Sequence, residues 1–181
     1  GRYLLGFPIW IDEAWLGLNL LERDWLGLTC QLVFNQVAPI LFLWVQSAML
    51  RCVGAGEWAM RLIPFLAGVA SLALFWQLAR RTVSPLAALL AIGLLAAARW
   101  PVLMCAIAKP YSLDLLMSLC LLNAAVLWLQ RPERRRWLWT LACLGPLAMA
   151  VSYPTVFVAG GVVLTLAWPV WKNGRGAMAA F

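Results

Sequence analysis

Long apolar runs separated by short polar segments dominate the chain. A helix needs about 20 apolar residues to cross the hydrocarbon core of a membrane, and no stretch alternates with the period of two that membrane strands require. The pattern therefore predicts an all-α fold, a polytopic transmembrane helix bundle. We expect about five transmembrane helices within 62–171. They are 62–79, 85–98, 111–129, 137–151 and 154–171.

Residues 1–61 are also apolar but contain no run as long as a full span. Asp12 is positioned to cap a helix over 13–22, and Pro39 to open a second helix that continues through Leu50. The run 39–53 is about one turn or more too short to cross, and a crossing there would place the Arg80–Arg81 pair outside. We therefore expect both to be interfacial helices in a first exoplasmic loop.

The two ends of the sequence suggest a piece of a longer chain. The first residue is Gly1 rather than Met, and a new apolar stretch starts within 172–181. We therefore interpret 1–181 as the N-terminal part of a larger membrane domain. A missing N-terminal span precedes it in this interpretation, 172–181 begins a further segment, and a C-terminal part is missing.

Composition restricts the class of protein. Hydrophobic residues make up 65% of the 181 and charged residues 12%, with a mean hydropathy of +0.86, against roughly 45–50% and 25% in soluble domains. A secreted domain, a disordered tail and a single-anchor enzyme are excluded. Histidine is missing and the five cysteines have no C-x-x-C spacing, so no metal site and no cofactor are predicted. A divalent cation is an alternative that these residues do not support.

The net charge of +7 follows the membrane topology, because basic residues concentrate in alternate loops, and it does not predict nucleic-acid binding. Segments 80–84, 131–136 and 172–175 hold eight of the fourteen basic residues but one acid, Glu133. By the positive-inside rule these segments are cytoplasmic. The opposite, exoplasmic side carries six basic and six acidic residues. The cluster 131–136 resembles a nucleic-acid or phosphoinositide patch, but a cytoplasmic anchor explains it more simply.

Two adjacent carboxylates, Asp12 and Glu13, follow an apolar entry at the point where the chain leaves the membrane. Such a pair can deprotonate a hydroxyl group or bind a cation. The alternative is structural, because an N-cap followed by an acid in the first helical turn needs no chemistry.

Two further polar groups are candidates for binding. Asn35 and Gln36 precede Pro39, and their amides could hydrogen-bond a sugar or a phosphate oxygen or could form a simple polar turn. Lys109, with Arg61 or Arg99, could neutralise a lipid-linked phosphate. Alternatively, Lys109 reaches the headgroups and Asp114, in the same segment, complements a helix N-terminus.

Several segments in order resemble C-type polyprenyl-phosphate-sugar glycosyltransferases. The likeness is to bacterial members related to protein O-mannosyltransferases and lipid A aminoarabinose transferases. Aminoarabinose-type members carry an arginine shortly after the acidic pair, where this chain has Trp15. The matching segments are Ile-Asp-Glu-Ala-Trp at 11–15, Asn-Gln-Val-Ala-Pro at 35–39, Glu-Trp-Ala-Met-Arg-Leu-Ile-Pro at 57–64, Leu-Ala-Arg-Arg at 78–81 and Lys-Pro-Tyr-Ser-Leu-Asp at 109–114.

The resemblance implies an inverting sugar transfer on the exoplasmic face of a multi-pass protein of the bacterial inner membrane. It implies a polyprenyl-phosphate-sugar donor and a protein, lipid or glycan acceptor, with no nucleic-acid partner. Asp12 of the Asp12–Glu13 pair would be the general base. The substrate-binding residues would be Gln36, Lys109, Tyr111, Asp114, Arg61 and Arg99.

Two other classes of protein compete with this interpretation. One is a transporter or channel subunit, which the number of helices and the intramembrane Lys109 and Asp114 would suit. The other is a non-catalytic membrane scaffold. Transporters commonly contain an internal repeat with paired broken helices, and the sequence shows no such self-similarity.

Overall fold

The computed structural model describes residues 8–178, and this range is helical with no β-strand. Two short 3₁₀ turns, Gly27–Thr29 and Val33–Asn35, connect the first two helices. The all-α fold predicted from the hydrophobic pattern is confirmed. The α-helices of this range are α1 Ile11–Glu22, α2 Ile40–Val53, α3 Glu57–Thr82, α4 Pro85–Ala97, α5 Arg99–Met104, α6 Tyr111–Gln130, α7 Arg136–Val151 and α8 Thr155–Met178.

Within residues 8–178, three helices are long and apolar enough to cross a membrane, namely α3, α6 and the part of α8 that ends at Lys172. Helices α4 and α7 occupy two further predicted spans, but they have only 13 and 16 residues. At 1.5 Å per residue they measure about 20 and 24 Å, less than the roughly 30 Å hydrocarbon core. The helical membrane bundle is thus established, while five crossings remain a prediction.

Helix α3 begins at Glu57, five residues before the predicted span. Gly54 has a φ of +112°, a backbone conformation that glycine adopts without a steric penalty, and it turns the chain sharply from α2 into α3. The early start places Arg61 on the helix. At the other end of the chain, 172–178 continue α8 rather than opening a new element, and 179–181 lie outside the described residues.

Helices α3 and α6 form the central pair of the bundle and run in parallel. The Asn123 side chain donates to the Leu74 carbonyl at 3.1 Å, and the Gln130 side chain donates to the Arg81 carbonyl at 3.5 Å. About three turns into α3, a Cβ on Gly68 would overlap Cys105 Sγ, so the residue 105 segment can approach α3 only because residue 68 is glycine.

The bundle therefore has two distinguishable ends. The acidic end comprises the starts of α1, α3 and α6 and the turn before α8, where the Tyr153 hydroxyl donates to the Ala38 carbonyl at 3.2 Å. The basic end comprises 80–84 and 131–136. A separate apolar cluster fills each end, one around Phe42 and Leu16 and the other around Trp128.

Helix α2 lies across the acidic end. Just before α2, the Ala38 carbonyl accepts a hydrogen bond from Tyr153 in the turn before α8. At its other end, a short turn connects α2 to α3. Gln46, fully buried on the same helix, donates to the Met60 carbonyl at 2.7 Å. At 14 residues α2 measures about 21 Å, which is consistent with the predicted interfacial position.

Candidate active site

The first turn of α1 carries both predicted carboxylates. The helix begins at Ile11, and Trp10 occupies the N-cap position. The prediction that Asp12 caps this helix is therefore wrong, because Asp12 lies inside it. The capping contact belongs to Glu13, whose Oε2 accepts the backbone N–H of Trp10 at 3.1 Å.

Glu13 and Arg61 form a buried ion pair. Their side chains are 1% and 7% exposed. Arg61 Nε donates to Glu13 Oε1 at 3.1 Å, and Arg61 Nη2 donates to Oε2 at 2.8 Å. Oε1 also accepts the Ala108 N–H at 2.7 Å. With the Trp10 contact, Glu13 accepts four hydrogen bonds, which is about the full capacity of a carboxylate.

These contacts keep Glu13 ionised. Burial acts to raise the pKa of Glu13, but hydrogen bonds from Arg61, Ala108 and Trp10 outweigh it and hold the pKa below its ordinary value of 4.5. One charged pair thus joins α1, α3 and the segment before α6. Breaking it would leave an uncompensated charge in a water-excluded position.

Asp12, Gln36 and Lys109 form a second, more open cluster beside the first. Gln36 Nε2 donates to Asp12 Oδ1 at 3.2 Å, and Lys109 Nζ donates to Gln36 Oε1 at 2.6 Å. Lys109 Nζ lies 3.3 Å from Asp12 Oδ2. The Lys109 side chain is 11% exposed, whereas that of Asp12 is 55% exposed. The carboxylate is therefore open to a ligand.

The hydrogen bond from Gln36 lowers the pKa of Asp12 below its ordinary value of 3.8; partial burial opposes this effect, and the charge of Lys109 adds to it. Asp12 is consequently an acceptor-only group at neutral pH. Its two polar neighbours, Gln36 and Lys109, leave one side of the carboxylate accessible.

A strained turn brings Gln36 into this cluster. The two preceding residues, Phe34 and Asn35, have φ values of +59° and +53°, in a region that side-chain-bearing residues adopt uncommonly. The Phe34 ring stacks on Trp15 with 5.8 Å between ring centroids and 11° between planes. This stack was not predicted from the sequence, although Trp15 lies three residues after Asp12 and hence on the same side of α1.

The other predicted residues lie outside both ion pairs. Arg99 is exposed at the start of α5 and forms no ion pair within 8–178. Tyr111 is 48% exposed at the first position of α6. Asp114 Oδ1 and Ser152 Oγ are buried, and neither forms a hydrogen bond of ordinary geometry with a described residue. The roles of these three predicted residues remain predictions.

Two features bear on metal binding and on catalysis. Within the part of the chain that the structure describes, no three His, Cys, Asp or Glu side chains group as metal ligands. The arrangement instead offers one accessible carboxylate and one ammonium group that face each other. Such a pair can accept a proton and hold an anion at neighbouring points.

Comparison with known proteins places the chain in a family. Residues 37–178, more than three quarters of the chain, match the family model of the dolichyl-phosphate-mannose-protein mannosyltransferases. The match includes Arg61 and Lys109, while Asp12 and Glu13 precede it. No curated protein and no solved structure matches the chain. The chain therefore belongs to the dolichyl-phosphate-mannose-protein mannosyltransferase family and is an integral membrane protein of the glycosyltransferase type.

Proposed function

We propose that the protein transfers a sugar from a polyprenyl-phosphate donor to an acceptor hydroxyl, with inversion, at the acidic end of the bundle. The family supports the donor class and favours transfer over transport. The observation that carries the proposal is the 3.3 Å separation between the open carboxylate of Asp12 and Lys109 Nζ. A proton acceptor for the acceptor hydroxyl and a cation for the donor phosphate therefore lie side by side.

Asp12, rather than its neighbour, is suited to be the general base. Glu13 is 1% exposed and its two oxygens already accept four hydrogen bonds. Asp12 accepts one hydrogen bond at Oδ1, from Gln36, and Oδ2 faces Lys109. An acceptor hydroxyl can therefore approach Asp12 but has no open position on Glu13.

The proposed step balances as a single displacement. The acceptor oxygen attacks the anomeric carbon while its proton passes to the Asp12 carboxylate. The bond from the anomeric carbon to the phosphate oxygen breaks, and its electron pair leaves with the polyprenyl phosphate. Because attack and departure occur on opposite faces of the sugar, the configuration inverts. The negative charge that develops on the leaving phosphate requires a cation nearby.

Lys109 supplies that cation. Its ammonium group has three hydrogens, and its contacts with Gln36 and Asp12 use two of them. The third is available to a phosphate oxygen. A bound phosphate also competes with Asp12 for the charge of Lys109, which raises the basicity of the carboxylate when the donor is in place.

Gln36, Glu13 and Arg61 act as positioning residues in this proposal. Gln36 bridges the base and the cation, donating to one and accepting from the other. The Glu13–Arg61 pair fixes the first turn of α1 against α3, and the Ala108 contact fixes the residue next to Lys109. The buried pair thereby sets the distance between the two reactive groups.

We place the reaction on the exoplasmic face, on the basis of charge. The basic end carries 80–84 and 131–136 with a large excess of arginine, which favours the cytoplasm. In a cysteine-free background, Leu26→Cys at the acidic end should react with an impermeant thiol reagent from outside, and Pro132→Cys only from the cytoplasm. The opposite labelling pattern would overturn this orientation.

The central test is transfer from polyprenyl-phosphate mannose to a serine- and threonine-containing peptide by the purified full-length protein. Asp12→Asn keeps the size of the side chain and removes the proton acceptor. We expect turnover to fall by roughly 10²–10⁴, the usual contribution of a general base. Glu22→Gln, which removes an exposed carboxylate at the other end of α1, is the matched control. Full activity of Asp12→Asn would remove Asp12 from the mechanism.

A further inference from the structure

A cavity lies at the basic end of the bundle, opposite the end that holds Asp12 and Lys109. It has a volume of about 870 Å³, within the range of small-molecule sites. Its apolar wall is formed by Leu138 and Ala142 of α7 and Val170 of α8, and its mouth by Glu133 and Arg135. We refer to it as the basic-end cleft.

The charges at the mouth are balanced, although the surrounding loop is strongly basic. Of the four arginines in 131–136, only Arg135 lines the cleft, and Glu133 lines it as well. Arg136 instead lies over the ring of Trp137, 4.8 Å from its centroid. Neither Glu133 nor Arg135 forms an ion pair with another residue of the described range. The mouth therefore presents one cation and one anion, neither of which forms an ion pair within the described part of the chain.

The wall of the cleft contains a buried donor without an acceptor. Trp128 is 1% exposed, and its Nε1 has no hydrogen-bond partner among the described residues. Buried polar groups in native structures are nearly always paired, because an unpaired one retains its full desolvation penalty. Because Trp128 lines the cleft, we take a ligand oxygen there as the acceptor of this indole N–H.

We propose that the basic-end cleft binds one aminophospholipid of the cytoplasmic leaflet, a lipid with a phosphodiester and a primary ammonium group in its headgroup. Arg135 binds the phosphate, Glu133 accepts from the ammonium, and Trp128 Nε1 donates to a phosphate or ester oxygen. An acyl chain runs along the apolar wall. An anionic headgroup without an amine would leave Glu133 opposite a negative charge, and a choline headgroup has no N–H to donate.

Native mass spectrometry of the purified protein in detergent, titrated with phosphatidylethanolamine, phosphatidylglycerol or phosphatidylcholine, tests this proposal. We expect phosphatidylethanolamine to be retained most strongly. Arg135→Gln should weaken its retention by about 10- to 150-fold, the range that one charge-assisted hydrogen bond supplies. Glu133→Gln should reverse the preference toward phosphatidylglycerol. Arg80→Gln, an exposed arginine at the same end but outside the cleft, is the matched control.

Trp128→Phe keeps an aromatic ring in the wall and removes only the N–H. We expect retention of phosphatidylethanolamine to fall by about 2- to 12-fold, as for one neutral hydrogen bond. Equal retention of the three lipids, a wild-type preference for phosphatidylglycerol, or the same loss in Arg80→Gln as in Arg135→Gln would overturn the proposal. Each of these results would leave the proposed transfer reaction at the opposite end unaffected.

Discussion

Asp12 and Glu13 are adjacent on α1, and each forms an ion pair, but the two pairs differ in burial and in geometry. Glu13–Arg61 is buried on both sides, with two hydrogen bonds between the partners. Asp12–Lys109 has a single 3.3 Å contact, and its carboxylate is 55% exposed. Adjacent residues on a helix point about 100° apart, so one carboxylate turns toward α3 and the other toward the surface of the acidic end.

The difference suits the two carboxylates to different proposed roles. A carboxylate with all its acceptor positions filled and no access to water contributes to structure and cannot take a proton from a substrate. The other carboxylate has one oxygen hydrogen-bonded to a neutral amide and one beside a cation, and one of its sides is accessible. It can therefore accept a proton from a substrate. Burial and partner geometry, rather than residue type, separate the two roles.

The largest expected effect comes from breaking the buried pair. Arg61→Met removes the cation and leaves Glu13 buried and uncompensated, which typically costs about 3–5 kcal/mol of stability. Chemical unfolding in detergent should show this loss. Arg80→Met, an exposed arginine on the same helix, should change stability by less than about 1 kcal/mol. Equal stability of the two variants would contradict the structural role of the pair.

Acid should weaken the same pair. The folded-state pKa of Glu13 is below its ordinary value of 4.5, so the folded protein binds fewer protons here than the unfolded chain. The resulting stability is fully present above about pH 4.5 and is lost as pH falls through the lower, folded-state pKa. Thermal unfolding between pH 6 and pH 3 should show a decline that Glu13→Gln flattens. A profile unchanged by Glu13→Gln would refute this.

The open pair should respond in function more than in stability. Lys109→Met removes the proposed charge-assisted hydrogen bond to the donor phosphate, a contact that would be worth about 1.5–3 kcal/mol, or roughly 10- to 150-fold in donor affinity. We expect the KM for the polyprenyl-phosphate donor to rise and its salt dependence to flatten. Lys172→Met, at the distant end of the spanning part of α8, is the control. An unaltered KM in Lys109→Met would exclude phosphate binding by this residue.

The smallest effect concerns the aromatic stack that supports the Gln36 turn. Phe34→Leu keeps an apolar side chain and removes the stacking on Trp15, which should cost about 0.5–1.5 kcal/mol. Phe157→Leu, 82% exposed on α8, should cost less. Thermal unfolding measures both variants. If Phe34→Leu were as stable as Phe157→Leu, the stack would have no part in holding the turn.

Much of the fold follows from local sequence. The predicted segment 111–129 differs from α6 by one residue at its end, because a long apolar run has one stable conformation in a membrane. The start of α3 at Glu57 is not predicted, because the charges of Glu57 and Arg61 interrupt the apolar run there. The charge of Arg61 is stable in this helix because Glu13, 48 residues earlier, neutralises it. A contact between residues so far apart in the chain cannot be predicted from the neighbouring sequence.

The candidate site was predictable in its composition but not in its arrangement. Asp12, Gln36 and Lys109 were each identified from position and residue type, and the structure brings them together. The different environments of Asp12 and Glu13 depend on which face of α1 packs inward, which local pattern does not determine. Arg61 was expected to contact the substrate, whereas in the structure it binds Glu13.

Asp12→Asn and Glu13→Gln, measured in parallel for turnover and thermal stability, test the separation of the two carboxylates most directly. Asp12→Asn should lose roughly 10²–10⁴ in turnover and less than about 1 kcal/mol of stability. Glu13→Gln should lose about 3–5 kcal/mol of stability, and any molecules that remain folded should retain a functional base. The reverse pattern, with a stable but inactive Glu13→Gln and a fully active Asp12→Asn, would contradict the account.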